Sequence, residues 1–277
     1  MPIGAHVSIA GGIWNAPERA AALGCECFQL FTRSPQGGAA PPLTDEAVTK
    51  FRAACEEHGQ QLWVVHTPYY INLAAADPKT RANSIRVIRE ELERASLIGA
   101  TYVMTHLGSA KDVGEAWGIT YAAQGLRKAL DGYAGSAQFL IEISAGAGAV
   151  IGATFEEVAT ILEAVDRTDV GVCFDTQHAF GSGYDLRTPE AVAETMQKFD
   201  ATIGLARLKM SHVNDSKVEL GAHKDRHEHI GHGHIGAAGI CAFVQHPVLN
   251  NLPLILETED GPERTEDVRL LKAYSSS

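Results

Sequence analysis

What most restricts the architecture of this chain is a unit that recurs eight times: a short apolar run, a polar break and an amphipathic stretch. The apolar runs lie at 3–8 (IGAHVS), 25–31 (CECFQLF), 62–66 (LWVVH), 100–106 (ATYVMTH), 138–144 (QFLIEIS), 170–176 (VGVCFDT), 205–213 (LARLKMSHV) and 252–259 (LPLILETE). They are almost continuously hydrophobic and lack the alternation of a half-exposed strand, which predicts strands buried on both faces of a parallel sheet. The stretches between them read as helices. In LTDEAVTKFRAACEEHG, Thr44 and Ala47 have cap spacing and Gly59 is a C-terminal stop. In DPKTRANSIRVIREELERASLIGA, Ile85, Ile88, Leu92 and Ala95 form a stripe of helical period. Eight such units predict an α/β fold in which residues 1–277 close into one (β/α)8 TIM-barrel domain. A length of 277 residues suits such a barrel, and 45% apolar residues are ample for its core.

Other features narrow the setting. Five cysteines, an odd number with no CxxC pair, argue against a secreted disulfide framework and against cysteine-based zinc fingers. Cys25 and Cys27 are expected on one strand face, packed in the barrel wall. The start MPIGAHVSIAGG has no basic segment leading into an apolar one, and nowhere do about 18 apolar residues run together. These features predict a soluble cytoplasmic protein with no membrane partner, taken to act as a monomer. A formal net charge of −11 argues against nonspecific attraction to nucleic acid, so any such attraction must be local.

A parallel barrel carries its chemistry where strands end and in the loops that follow. His66 ends the third run and His106 the fourth, while Glu142 lies late in the fifth. Asp175 and His178 come with the end of the sixth, His212 late in the seventh and Glu257 late in the eighth. Asp225 and His227 fall in the long loop after the seventh. One buried histidine is ordinarily a hydrogen-bonded core residue, and one glutamate an ion-pair partner; nine donors at equivalent positions have no such explanation. Asp175 follows directly on the apolar GVCF, so its charge must be paired, hydrogen-bonded or bound to a cation. Imidazoles mixed with carboxylates suit zinc, manganese or iron rather than calcium or magnesium. Nine donors exceed the three protein ligands of a single catalytic zinc, which implies more than one metal. Clustered dications activate water, polarise a phosphoryl oxygen and stabilise a leaving alkoxide, and phosphodiester hydrolysis uses all three effects.

The strings AHVSIAGG, HTPYYINLA, HLGS, IEISAGAG, GVCFDTQHAFGSGYD, HVNDSK, KDRHEHIGHGHIG and LILET occur in this order over nearly the whole chain. Together they make the sequence similar to the endonuclease IV family of apurinic/apyrimidinic endonucleases. The resemblance implies three zinc ions, with manganese or iron as substitutes at some sites. One zinc would take His66 and His106, and Glu142 would bridge it to a second that also takes Asp175, His212 and Glu257. The third would take His178, Asp225 and His227. It further implies that double-stranded DNA is cut 5′ of an abasic site, leaving a 3′-hydroxyl and a 5′-deoxyribose phosphate, and that blocked 3′ ends are cleared. Glu142 would be central to that catalysis.

For DNA contact, the resemblance points to Tyr69, with Tyr70 beside it, as a stacking or wedging aromatic. Arg33, Lys217, Lys224 and Arg226 are the cations placed to meet phosphates, and the Gly11–Gly12 turn offers backbone amides. Two departures stand out. Where family members commonly carry an arginine and a tryptophan, the loop SPQGGAAPP has Gln36 and Gly38; the family's asparagine after the bridging glutamate is Ser144. His223, His229, His232 and His234 are read as exposed or hydrogen-bonded, and His6 as a group pointing to the same mouth. The alternatives are a metal-dependent sugar isomerase or epimerase on the same barrel, and a noncatalytic barrel that stores zinc or binds DNA.

Overall fold

In the computed structural model, which describes residues 1–276, the eight apolar runs form eight parallel strands closed into a barrel. In chain order these are β1 (Ile3–His6), β2 (Cys27–Leu30), β3 (Leu62–His66), β4 (Tyr102–Thr105), β5 (Gln138–Glu142), β6 (Gly171–Asp175), β7 (Leu208–His212) and β8 (Leu254–Leu256). Each pairs in parallel with its sequence neighbours, and β1 closes the ring against β8. The helices between them are α1 (Ala16–Ala22), α2 (Asp45–Glu57), α3 (Pro78–Ile98), α4 (Glu115–Leu130), α5 (Phe155–Val165), the short α6 (Thr176–Gly181), α7 (Pro189–Thr202), α8 (Gly236–Val244) and α9 (Pro262–Ser275). Among the described residues, no helix is long and apolar enough to cross a membrane.

Local chemistry sets the helix ends. Thr44 accepts the Ala47 N–H at 3.2 Å at the start of α2, and Gly59 after it takes a φ of +62°. Asp77 caps α3 through the N–H groups of Lys79 and Thr80, and Gly99 closes it in the left-handed region. In α5, Thr154 and Glu157 form a reciprocal capping box.

The core has two compartments. Inside the barrel Cys27, Val64, Met104, Leu140, Cys173, Met210 and Ile255 make an apolar plug. A larger layer lies between strands and helices. Cys25 belongs to this outer layer and Cys27 to the plug, so the two do not share a face. The strand period fails here because β2 begins only at Cys27. Polar side chains above the plug can therefore reach only the mouth formed by the C-terminal strand ends.

Three boundaries differ from the sequence reading. Leu205–Arg207 is a 3-10 turn, because Gly204 at a φ of +91° bends the chain before β7 begins. His106 and Glu257 stand one residue beyond β4 and β8, where the ladder ends and the backbone turns over the mouth. Asp215–Ser216 and His227–Glu228 pair as a small antiparallel ribbon, a feature not read in the long loop.

Close approach explains Gly4, which stands in register with Cys27 and Ile255. A Cβ at Gly4 would lie 2.0 Å from the Cys27 carbonyl oxygen. Since the obstacle is barrel backbone, Gly4→Ala is expected to cost about 3 kcal/mol by forcing β1 from β2. Denaturant unfolding would measure it, and an unchanged midpoint would refute the close-packing argument.

Candidate metal centre

The strand ends bring the nine predicted donors together. β3 delivers His66, β5 Glu142, β6 Asp175 and β7 His212, each as its last residue. The N-terminal part of α6 carries His178, and the loop after β7 supplies Asp225 and His227. Donor atoms fall into three groups, each within 4.8 Å: His66, His106 and Glu142; Glu142, Asp175, His212 and Glu257; and Asp175, His178 and His227. Asp225 joins the last group, its Oδ1 lying 3.4 Å from Nε2 of both His178 and His227.

Glu142 faces two groups with different oxygens. Its Oε2 is 3.0 Å from His66 Nε2 and 3.4 Å from His106 Nε2, while its Oε1 is 2.8 Å from His212 Nδ1. Asp175 Oδ2 in turn lies between His212 Nδ1 at 3.7 Å and His227 Nε2 at 3.8 Å. Two carboxylates thus tie three groups into one centre.

The histidines are aimed by their second nitrogens. Nδ1 of His66 donates to Thr67 O at 2.6 Å, Nδ1 of His178 to Ile143 O at 3.0 Å and Nδ1 of His227 to Glu257 O at 3.2 Å. Each of these bonds leaves the Nε2 lone pair facing the cluster, as a metal-ligating histidine requires. Nε2 of His178 and His227 lie only 3.3 Å apart. Two facing lone pairs repel unless a proton or a cation sits between them, and the two neighbouring carboxylates favour positive charge of either kind there. Donors of nitrogen and oxygen alone, on rings already oriented, fit a set of borderline divalent metals.

Charge follows the same layout. Burial alone would raise the Glu142 carboxyl, yet His106, His212 and His178 hold it well below the usual range. Burial disfavours charge on His178 and His212, but the surrounding acidic groups raise both well above the ordinary imidazole value; His66 is raised more modestly, through Glu142. Burial lowers His106 and takes His6 down to about 3, so the His6 ring stays neutral. With metal removed, the raised histidines contribute stability that is complete below about pH 6.5 and is lost as pH rises through their folded values. Glu142 contributes above its unfolded value near 4.5 and loses that contribution toward acid. Chelated protein is therefore expected to melt at a lower temperature at pH 9 than at pH 6.5. Calorimetry of the metal-free form would check this, and equal or higher melting at pH 9 would contradict it.

Around the donors stand residues the sequence reading passed over. Asn214 is buried; its Nδ2 donates to Asp175 Oδ2 at 2.8 Å and its Oδ1 accepts the Glu257 N–H at 2.8 Å. Asp215 accepts backbone N–H groups from Ser216, Gly231, Gly233, Ile235 and Gly236, clamping the GHGHIG turn that follows His227. Both lie in the HVND string, where only His212 was singled out. Gln29 is fully buried on β2 and touches His6, His212 and Glu257; a glutamine inside the apolar run CECFQLF was its available signal. Ser144 donates to Ile151 O and accepts from His106 Nδ1 at 3.4 Å, so it still contacts a candidate donor.

A cavity of about 280 Å³ opens over the donors and is walled by Tyr69, Lys217 and Arg226. Tyr69 is 69% exposed and meets Phe31 edge-on, whereas Tyr70 packs partly against the core. Arg33 does not take the place expected for a phosphate contact. It is 3% exposed, with Nε donating to Glu91 at 2.5 Å and its η nitrogen to Glu90 at 2.9 Å. The cause is Glu91, a fully buried carboxylate on the inward stripe of α3 that needs a cation. The Gly12 amide is spent on Ile9 O at 3.0 Å. His223, His232 and His234 are exposed, and His229 is bonded to Asp267 at 2.7 Å, as anticipated.

A family model described as "Xylose isomerase-like TIM barrel" matches residues 17–274. A Haloarcula marismortui protein named "Probable endonuclease 4" is 42% identical over 272 residues, 98% of this chain and 97% of that protein. A protein of the same name from Halothermothrix orenii is 38% identical, with 98% of each chain covered. Among solved structures, endonuclease IV from Thermus thermophilus superposes with a TM-score of 0.90 at 34% identity, covering 100% of this chain and 99% of that one. A D-tagatose 3-epimerase-like protein reaches 0.76 at 18% identity, covering 100% of this chain and 97% of that one, a likeness of fold alone. Relatedness along the full length, joined to nine donors gathered at one barrel mouth, places the chain in the endonuclease IV family of apurinic/apyrimidinic endonucleases.

Proposed function

We propose that this protein is a zinc-dependent DNA repair endonuclease. It incises the phosphodiester 5′ of an abasic site in double-stranded DNA, leaving a 3′-hydroxyl and a 5′-deoxyribose phosphate, and it also clears blocked 3′ ends. It works as a monomer in the cytoplasm. The observation that carries the reading is the pair of shared carboxylates, Glu142 and Asp175, each reaching two of three adjacent donor groups.

His66, His106 and Glu142 would hold one zinc; Glu142, Asp175, His212 and Glu257 a second; and His178, Asp225 and His227 a third, with Asp175 near the last two. Bound together, such ions supply an activated water, polarise the phosphoryl oxygens and neutralise the departing 3′-oxygen. The protein's own part is placement. Glu142 would hold two cations adjacent, and the carbonyls of Thr67, Ile143 and Glu257 orient His66, His178 and His227 with Nε2 toward them. Lys217 and Arg226 line the cavity as local cations for phosphate, which a chain of formal charge −11 needs at its site. Tyr69 projects above His66, where it can fill the gap left in a duplex by an extruded abasic nucleotide.

A sugar epimerase generally needs one or two divalent ions, and the group of His178, Asp225 and His227 exceeds that requirement. The reading is tested with an end-labelled duplex carrying one abasic site. Single incision on its 5′ side is expected, lost after chelation and restored by zinc, with an undamaged duplex left intact. Unchanged cutting by demonstrably metal-free protein would overturn the mechanism, and binding without cutting would favour the noncatalytic alternative.

A further inference from the structure

We infer that Gln29 is a positioning residue for the second donor group, selecting which nitrogen of His212 and which oxygen of Glu257 face the metal. The inference rests on the metal reading above. Gln29 is fully buried and spans three side chains: Oε1 is 2.7 Å from His212 Nε2, and Nε2 is 2.6 Å from Glu257 Oε1 and 2.9 Å from His6 Nδ1.

The partners leave one orientation for the amide. A carboxylate only accepts, so the Gln29 nitrogen must face Glu257 and its carbonyl must face His212. His212 Nε2 therefore carries a hydrogen and donates it to Gln29. The ring then meets Glu142 and Glu257 through Nδ1, at 2.8 and 3.1 Å. The second amide hydrogen goes to His6 Nδ1, which must accept it. Both N–H groups of the amide are thus used, and the side chain cannot turn over without setting two acceptors against each other.

Two consequences follow for the ion. Glu257 Oε1 is occupied by Gln29, which leaves Oε2, the oxygen beside His212 Nδ1, as its ligand atom. His212 is held as an Nδ1 ligand, whereas His66, His178 and His227 are turned by backbone carbonyls to present Nε2. Those carbonyls cannot be removed by substitution, but the side chain aiming His212 can. His6, which contributes no donor to any of the three groups, acquires a role as the support that occupies the remaining amide hydrogen.

The test measures zinc binding by competition with a chromophoric chelator, alongside the melting temperature of the metal-free protein. Gln29→Met keeps the volume and removes all three contacts. Gln29→Glu keeps the shape and the His212 contact but sets an oxygen against Glu257, and it serves if the first variant does not fold. In either variant, one ion of the bound set is expected to weaken by about 10–100-fold while the others keep their affinity. Incision should return when excess zinc is supplied. Unchanged affinity for every ion, or an equal loss at all of them with a lowered melting temperature of the metal-free form, would overturn the positioning role. Wild-type protein that binds no zinc would instead remove the metal reading itself.

Discussion

Glu142→Gln is expected to lower incision of an abasic duplex by about 10³-fold or more and to release at least one bound ion. Loss of an outer partner of a metal ligand typically costs about 10–100-fold, and Glu142 stands closer to the chemistry than any outer partner. Its two oxygens face His66 and His106 on one side and His212 on the other. Glutamine has nearly the same shape but offers one accepting oxygen and no charge, so whichever way it turns, one side is met by an amide N–H. Glu142 itself is fully buried beneath the other donors. Single-turnover incision and elemental analysis of the same preparation would measure both effects. Wild-type turnover with the full metal complement would remove the bridging role.

The second large effect concerns stability and has its origin outside the nine candidate donors. Asp215→Asn is expected to cost about 3 kcal/mol or more, because the fully buried carboxylate accepts five backbone N–H groups and an amide can satisfy only some of them. Each buried donor left without a partner costs about 1–3 kcal/mol. In a domain of this size the loss corresponds to a melting shift of roughly 6–10 °C. Because the clamped turn follows directly on His227, the same change should loosen the group of His178, Asp225 and His227 first. Thermal unfolding of the metal-free and zinc-loaded forms would show a larger deficit in the loaded form. Equal melting of variant and parent would show that the clamp is dispensable.

The barrel and the gathering of nine candidate donors at its mouth were legible because both rest on periodic signals. Eight apolar runs specify eight buried strands, and a donor at a strand end, such as His66 or Asp175, can hardly point anywhere but the mouth. Residues that support the donors leave no periodic trace, and the polar Gln29 inside CECFQLF marks a position without naming its partners. Gln29 and Asn214 act through side-chain contacts with partners far away in sequence, a spacing that no local pattern reveals. Arg33 misleads for a related reason: in a loop after a strand it resembles a phosphate contact, and only the packing of α3 against that loop shows Glu91 consuming its charge. The signal was there in principle, since Glu91 lies on the inward stripe between Ile88 and Ala95. Cys25 and Cys27 separate because the strand starts only at the second of them, a boundary that propensity alone does not locate.

The central claim is that imidazoles and carboxylates from six successive strand ends and the loops after them hold several neighbouring zinc ions. Anomalous diffraction at the zinc edge from zinc-soaked crystals tests it most directly. Three peaks are predicted, each about 2.0–2.2 Å from the donor atoms of one group, with Glu142 touching two of them. A barrel mouth without anomalous density, in crystals of protein that still incises abasic DNA, would contradict the account.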